Sequence, residues 1–149
     1  MNKSQYIKDK IKKLPKKATL NNVSDLFQLL VRLNETNEDG IGYCVTCGKE
    51  LNLGTTDCQA GHFIPRGIYK YRLSFENCHL QCSYCNKHLS GNVNSYTIFM
   101  QNYLGFERTK EMQEYYRAIK FGKQKQIKPR TKEITEKYDL FVYLLKEMI

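Results

Sequence analysis

Apolar residues recur at helical spacing in four segments of the chain, and each segment predicts an amphipathic α-helix. The segments are 22–34, 94–105, 107–120 and a last one that begins at Thr131. Asn22 or Ser24 is expected to cap the first helix, Gly105 to stop the second and Thr131 to cap the last. The inner stripes are interpreted as core rather than as a ligand-binding face. They are Leu26, Phe27, Leu29, Leu30 and Leu33; Tyr96, Phe99, Met100, Tyr103 and Leu104; Met112, Tyr115, Tyr116 and Ile119; and Ile134, Tyr138, Phe141, Leu145 and Met148.

The size and composition of the chain fit one domain around one core. It has 149 residues, of which 41% are apolar. No apolar run approaches the ~20 residues that a membrane span needs, and the start of the chain has no apolar segment typical of a secretory signal. We therefore expect no membrane partner and a reducing, cytoplasmic location, in which the paired CxxC spacings among the six cysteines favour metal binding over disulfides.

The formal net charge of +9 is concentrated in two separate runs. Residues 1–17 carry seven Lys against one Asp, and residues 120–132 hold six basic residues and no acid. Such runs are about as often solvated tails and loops as nucleic-acid contacts, but the excess charge indicates a polyanionic partner. We divide the chain into a basic N-terminal arm, 1–21, and a single domain, 22–149. Whether the arm is ordered stays open at this point.

Two CxxC pairs flank an insert of 34 residues. The pairs are Cys44 with Cys47 and Cys82 with Cys85. A CxxC turn places two thiolates on one side of a metal ion, so two turns complete the tetrahedral shell of a structural Zn²⁺. Buried free thiols are the weaker alternative, because the two pairs match in spacing. Cys58 and Cys78 have no such partner and are interpreted as core thiols, with metal contact as the lesser alternative.

Two runs in and after this insert, Ala60–Pro65 and Phe75–Asn86, resemble the motif of the HNH nucleases, the ββα-metal finger. The resemblance implies that His62 is the general base, Asn77 the central asparagine and Asn86 a ligand of a catalytic divalent cation. The chemistry suits these residues, because imidazole titrates in the range needed to deprotonate water. A hard cation, Mg²⁺ or Mn²⁺, neutralises the scissile phosphate. A lone histidine is more often structural, whereas this ordered set within a four-cysteine frame is more specific.

A closer resemblance, to the phage lambda NinG (Rap) recombination proteins, extends outside the finger. It rests on Ala60–His62, Phe75–Asn86, Ser90–Asn92 and Tyr96, and covers roughly residues 24–121. It implies an α+β fold, in which flanking α-helices surround a zinc-stapled, HNH-like ββα-metal core. It also implies an endonuclease of phage recombination in the cytoplasm of a bacterial host, acting on branched DNA such as Holliday junctions and D-loops with Mg²⁺ or Mn²⁺.

One position departs from the general HNH pattern. Gly61 stands where many HNH enzymes carry Asp, Glu or His as a metal ligand, although the Ala-Gly-His form agrees with the NinG family. His79 is the first candidate to supply the missing ligand, because Asn77 and Gln81, two residues away on either side, share its strand face. Asp57 and His88 are weaker candidates, and His79 could equally be a structural hydrogen-bonding residue.

Two functions of different classes follow from these patterns. The first is a metal-dependent, structure-selective DNA endonuclease, whose basic side chains contact phosphates without reading bases. These are Arg66, Lys70, Arg72, Lys87, Lys120, Lys123, Lys125, Lys128 and Arg130. Cutting a junction would favour a homodimer with its two sites on opposed strands. The second is a non-catalytic zinc-ribbon module that binds nucleic acid or a protein. His62, Asn77 and Asn86 favour the enzyme, because a ribbon has no reason to carry them.

Overall fold

Six helices and four short strands make up the chain, in an α+β arrangement. The computed structural model describes residues 1–149. The helices are α1 (Lys3–Lys12), α2 (Leu20–Asn34), α3 (Tyr69–Arg72), α4 (Val93–Leu104), α5 (Phe106–Lys120) and α6 (Thr131–Glu147). The strands are β1 (Ile41–Tyr43), β2 (Glu50–Asn52), β3 (Gln59–His62) and β4 (Cys78–Gln81). A 3₁₀ turn, Phe75–Asn77, precedes β4, and a π-helical turn, Tyr84–His88, follows it.

The strands form two antiparallel hairpins, β1 with β2 and β3 with β4. In the second hairpin, Gln59 lies opposite Gln81, and His62 lies opposite Cys78. The backbone N–H of Val45, within the first CxxC turn, donates to the Leu80 carbonyl at 2.9 Å. This bond places the first cysteine pair beside the strand that leads into the second pair.

Helix α2 forms the centre of the largest apolar core. Its buried face packs against Phe141 and Leu145 of α6, against Ile7 of α1, and against the second hairpin. A second apolar cluster joins the loop after β3 to α4 and α5 through Phe63, Tyr71, Tyr96, Met100 and Met112. The helix stripes of the sequence are therefore buried or partly buried, as their spacing predicts. Tyr103 is the exception, because its ring is 56% exposed near the end of α4 and stacks on that of Phe99. No helix has both the length and the apolar content that crossing a bilayer requires.

The basic start of the chain is helical from Lys3 to Lys12 and packs on the domain through Ile7, which is 1% exposed. Lys3 is also buried, and its ammonium donates to the Leu33 carbonyl at 2.7 Å and to the Thr36 carbonyl at 2.5 Å. Burial lowers the pKa of Lys3. These carbonyls lie at the C-terminal end of α2, where backbone acceptors have no partner within the helix. Lys3 therefore caps α2 and anchors α1.

Helix ends differ from the expected ones by a few residues. Helix α2 starts before both predicted caps, because the Thr19 hydroxyl accepts from the Asn22 N–H at 3.1 Å. Thr131 is the first residue of α6 rather than its cap, and no side chain caps that helix. Gly105 ends α4 as expected, and its φ of +87° is one that glycine adopts without strain.

Candidate functional site

Both CxxC turns bring their cysteines to a single cluster. The Sγ atoms of Cys44, Cys47, Cys82 and Cys85 all lie within 4.8 Å of one another. Cys47 Sγ and Cys82 Sγ, one from each turn, are 3.7 Å apart. Tetrahedral zinc with Zn–S bonds of ~2.3 Å separates its sulfur atoms by about 3.8 Å. The donor set and its spacing therefore fit a structural Zn²⁺, as the sequence predicts, and the four ligands would leave no open position for chemistry.

Two N–H groups of the chain point at sulfur atoms of the cluster. The Cys85 backbone N–H donates to Cys82 Sγ at 3.4 Å, and the Asn92 amide donates to Cys85 Sγ at 3.5 Å. Asn92 reaches this position because Ser90, Gly91 and Asn92 all have positive φ and reverse the chain. Donors directed at a sulfur stabilise its ionised form, which is the form that binds metal.

Asp57, a weaker candidate ligand of the catalytic cation, holds the second CxxC turn in place. Its carboxylate accepts from the backbone N–H and the hydroxyl of Ser83, both at 2.9 Å, and pairs with Lys49 at 2.7 Å. The Lys49 ammonium and the two Ser83 donors lower the pKa of Asp57 to about 2. The other weaker candidate, His88, lies on the exposed π-helical turn with its ring centroid 5.8 Å from that of Tyr84.

His62 ends strand β3 with one side of its imidazole tied to the backbone. Its Nε2 lies 2.9 Å from the Arg72 carbonyl oxygen. Because a carbonyl only accepts, Nε2 carries the proton, and the lone pair of the neutral ring is on Nδ1. Burial lowers the pKa of His62, and the positive charges of Arg66 and Arg72 lower it further. The ring is therefore neutral at physiological pH and able to accept a proton.

Asn77 is fully buried and positions the segment that holds His62. Its Oδ1 accepts from the Ile64 N–H at 2.7 Å, while its Nδ2 donates to the carbonyls of Ile64 and Tyr71 at 2.9 and 3.2 Å. Tyr71 directly precedes Arg72, whose carbonyl binds the His62 ring. Asn77 thus acts as a positioning residue, and it influences the His62 ring only through this backbone.

His62 and Asn86 line one large cleft of about 890 Å³. Asn86 lies in the π-helical turn rather than at the start of an α-helix, and its Nδ2 donates to Gln59 Oε1 at 3.0 Å. Four basic side chains share the lining, namely Lys10, Arg32, Arg66 and Lys87. The lining contains no aspartate or glutamate. The cleft therefore presents a neutral histidine among positive charges, which suits an anionic ligand.

His79 does not lie in this cleft. Both of its ring nitrogens face acceptors, Nδ1 at 3.0 Å from Glu35 Oε2 and Nε2 at 3.0 Å from the Glu76 carbonyl. The ring is buried and lines a separate, smaller cavity of about 340 Å³. Because both nitrogens face acceptors, His79 has the contacts of the structural hydrogen-bonding residue that the sequence left as the other possibility.

The basic residues expected to contact DNA fall into three groups. Arg66 and Lys87 line the cleft. Arg72 contacts α2, where its Nε donates to the Ser24 hydroxyl at 2.8 Å. Lys70 Nζ lies 4.4 Å from the ring centroid of Tyr115. The remaining five lie at the end of α5 or in the exposed segment after it: Lys120, Lys123, Lys125, Lys128 and Arg130.

The segment after α5 is docked beside the cleft. Gln126 Oε1 accepts from the Tyr69 N–H at 2.8 Å, and its Nε2 donates to the Gly67 carbonyl at 3.1 Å. Gly67 follows Arg66, so this anchor brings the backbone of the second basic run near one residue of the cleft lining. Arg130 differs from the others, because it pairs with Glu133 at 2.6 Å.

Lys10 and Arg32 are cleft residues that the sequence patterns do not single out. They come from α1 and α2, and only long-range packing brings these helices to the β3 hairpin. The sequence does contain one signal, because Tyr6, Ile7 and Ile11 repeat at helical spacing within the lysine-rich start.

Comparison with known proteins identifies the family of the chain. A family profile described as "Bacteriophage Lambda NinG protein" matches residues 1–142. The chain belongs to the NinG family. Two curated members, "Protein ninG" of Escherichia phage 933W and of Enterobacteria phage VT2-Sa, are each 31% identical over 96 residues. Those alignments cover 57% of this chain and 46% of each NinG relative, so the chain spans about half the length of the curated proteins it matches. No solved structure matches the chain significantly.

Proposed function

We propose that this NinG-family protein is an HNH-type endonuclease that cuts branched DNA during phage recombination, with Mg²⁺ or Mn²⁺. The observation that carries the proposal is the state of His62 in the cleft. The ring is held through Nε2 by a backbone carbonyl, its Nδ1 lone pair is free, and basic side chains surround it. A zinc ribbon that only binds DNA has no need of a neutral histidine fixed in this way.

Three groups of residues would have separate roles in the hydrolytic step. Arg66, Lys87, Lys10 and Arg32 draw a DNA phosphate into the cleft. His62 Nδ1 takes a proton from a water molecule, whose oxygen attacks the phosphorus as the bond to the leaving sugar oxygen breaks. Asn77 keeps the Tyr71–Arg72 backbone in place, so that the imidazole stays oriented.

The cleft offers neutral oxygen ligands to a divalent cation. Asn86 and Gln59 place carboxamides there, and no carboxylate joins them. Mg²⁺ accepts such oxygens but is usually held by carboxylates together with substrate phosphates. The lining alone, with four basic side chains and no carboxylate, does not fit a divalent cation, so a bound cation would depend on the DNA phosphates for its charged ligands. When bound, it would supply charge stabilisation for the scissile phosphate and the leaving oxygen.

Cleavage of a labelled four-way junction and of a linear duplex, with Mg²⁺, Mn²⁺ or EDTA, tests this function. We expect metal-dependent cleavage of the junction, and loss of cleavage with retained binding in His62→Ala. The matched control is His88→Ala, which removes an exposed histidine outside the cleft and should cleave normally. Binding without cleavage of any substrate under all conditions would leave the non-catalytic DNA-binding module as the function.

The salt dependence of binding tests the basic cleft. Removing one phosphate-binding side chain should reduce the slope of log K against log salt by about 0.9. We expect Arg66→Gln and Lys87→Gln each to reduce the slope by about this amount, whereas Lys146→Gln, at an exposed position on α6, should leave it unchanged. Equal effects from all three variants would show that the cleft is not the DNA surface.

Concerted cleavage of two opposed strands of a junction favours two active sites. We therefore expect two chains on each junction, which the mass of the protein–DNA complex measures directly. A single chain per junction that still cuts both strands would contradict the dimeric arrangement, but not the nuclease itself.

A further inference from the structure

A second cavity, of about 570 Å³, lies between α3, α5, α6 and the segment that follows α5. Cavities of roughly 300–1,000 Å³ are of the size that takes small organic ligands. None of its lining residues belongs to the cleft that contains His62. The cavity is therefore a separate site, and the hydrolytic step gives it no role.

Aromatic rings form part of the lining of this cavity. They belong to Tyr69, Phe75 and Tyr115, none of which is fully buried. Lys70 Nζ lies over the Tyr115 ring, 4.4 Å from its centroid, so the face of this ring and not only its edge is open to a ligand. Lys70 is itself exposed and can give up this place to a nucleobase. Every base has a π-face, so such a ring can stack any of them.

The charges of the cavity suit a phosphate. Lys70, Lys125 and Lys137 lie in the lining, with Glu133 as the one acid. The Glu133 carboxylate is already paired with Arg130 at 2.6 Å, so the lysine ammonium groups remain for an anionic ligand. A nucleotide joins a flat base to an anionic phosphate. Aromatic rings beside ammonium groups are the side chains that bind unpaired nucleic acid in this way.

The wall of this cavity is bonded to the proposed catalytic base. Residues 69–75 supply one wall, and within them the Arg72 carbonyl accepts from His62 Nε2 at 2.9 Å. Gln126 fixes the opposite wall through two hydrogen bonds to the backbone of residues 67 and 69. Ile127, beside it, is 88% exposed, and exposed apolar side chains of this kind enter opened base steps. A nucleotide in the cavity would thus lie against the segment that positions His62.

We propose that this cavity holds one unpaired nucleotide of the DNA, with its base stacked on Tyr115 and its phosphate among the lysines. The proposal rests on the proposed nuclease function and names the feature by which branched DNA is selected. Phosphate contacts along duplex arms do not discriminate between DNA structures of similar charge. A nucleotide at a branch point or in a displaced strand can enter the cavity directly, whereas a base in a perfect duplex must first be unpaired and unstacked.

Binding of the His62→Ala protein without added Mg²⁺ or Mn²⁺ tests the cavity independently of cleavage. The probes are a perfect duplex, the same duplex with one unpaired deoxyadenosine, and the same duplex with an abasic residue in that place. We expect the unpaired deoxyadenosine to tighten binding about tenfold, the scale on which one base stacks on an aromatic side chain, and the abasic residue to give no such gain. Equal affinity for the deoxyadenosine and abasic probes would overturn the proposal.

Substitutions assign the gain to this cavity. Tyr115→Leu should abolish the preference for the unpaired deoxyadenosine without changing duplex affinity, whereas Tyr115→Phe, which keeps the ring, should retain the preference. Tyr143→Leu is the matched control, because Tyr143 is 58% exposed on α6 and lies outside the cavity. Lys137→Gln, at an exposed position, should reduce the same preference without disturbing the core.

A preference that persists unchanged in Tyr115→Leu and Lys137→Gln would contradict the assignment to this cavity. Failure of the wild-type protein to cleave any DNA with Mg²⁺ or Mn²⁺ would instead refute the nuclease. The binding probes and the cleavage assay therefore tell the two failures apart.

Discussion

Replacing Asn77 by alanine should reveal how much the second hairpin depends on one side chain. The change removes an acceptor from the Ile64 N–H and a donor from the carbonyls of Ile64 and Tyr71, all buried. Each hydrogen bond contributes about 1 kcal/mol net, and a buried group left without a partner costs about 1–3 kcal/mol. Partial rehydration of the three groups limits the sum, so we expect a loss of about 3–5 kcal/mol in the free energy of unfolding.

Thermal and urea unfolding with Zn²⁺ in slight excess measures this loss. For a chain of this size, 1 kcal/mol corresponds to about 2–4 °C in Tm, so the expected decrease is roughly 6–20 °C. Asn102→Ala is the matched control, since Asn102 is exposed on α4 and should change stability by less than about 0.5 kcal/mol. If the free energy of unfolding of Asn77→Ala lies within about 1 kcal/mol of the wild-type value, the Asn77 hydrogen bonds to Ile64 and Tyr71 do not hold the chain after β3 in place.

The other predictions concern the metal, the N-terminal helix and pH. Elemental analysis should find one Zn²⁺ per chain in the wild-type protein and in Cys58→Ser, and no Zn²⁺ in Cys82→Ser. Absence of zinc from the wild-type protein would contradict the structural zinc site. Lys3→Met should lower the free energy of unfolding by about 2 kcal/mol, because two carbonyls lose their donor, whereas Lys8→Met at an exposed position should have little effect. The folded-state pKa of His62 is lowered from its ordinary value of 6.5, so the single-turnover cleavage rate should reach half its maximum below pH 6.5; a midpoint above pH 6.5 would contradict this. The unfolded chain then binds the proton more readily, so His62 should also reduce stability as pH falls through 6.5.

The helices could be predicted from the sequence because each has a local apolar stripe. Those of α2, α4, α5 and α6 repeat at the spacing of a helix, and the structure buries residues such as Met112 and Phe141 from them. Helix α1 was harder to foresee. Its lysines dominate the local composition, and the reason that it is ordered lies elsewhere, in the carbonyls of Leu33 and Thr36 that Lys3 binds.

The cysteine cluster was also predictable, because CxxC spacing alone places two sulfurs together and the match between pairs suggests a common ion. The wall of the cleft could not be predicted, because Lys10 and Arg32 reach it through the packing of distant helices. Outside the cleft, Glu35 contacts His79 across 44 residues of sequence. Sequence spacing carries no information about such contacts, which explains why His79 is a candidate ligand in the sequence but lies outside the cleft, with both ring nitrogens facing acceptors, in the fold.

The four cysteines of the cluster differ in their access to solvent. Three are buried, whereas Cys47 is exposed. Ligand exchange begins at the donor that an incoming molecule can reach, so a chelator or an oxidant would attack a bound ion at Cys47 first. The lifetime of the metal would therefore be set at that one thiolate, and the protein should lose its ion faster under oxidative stress than three enclosed ligands alone would suggest.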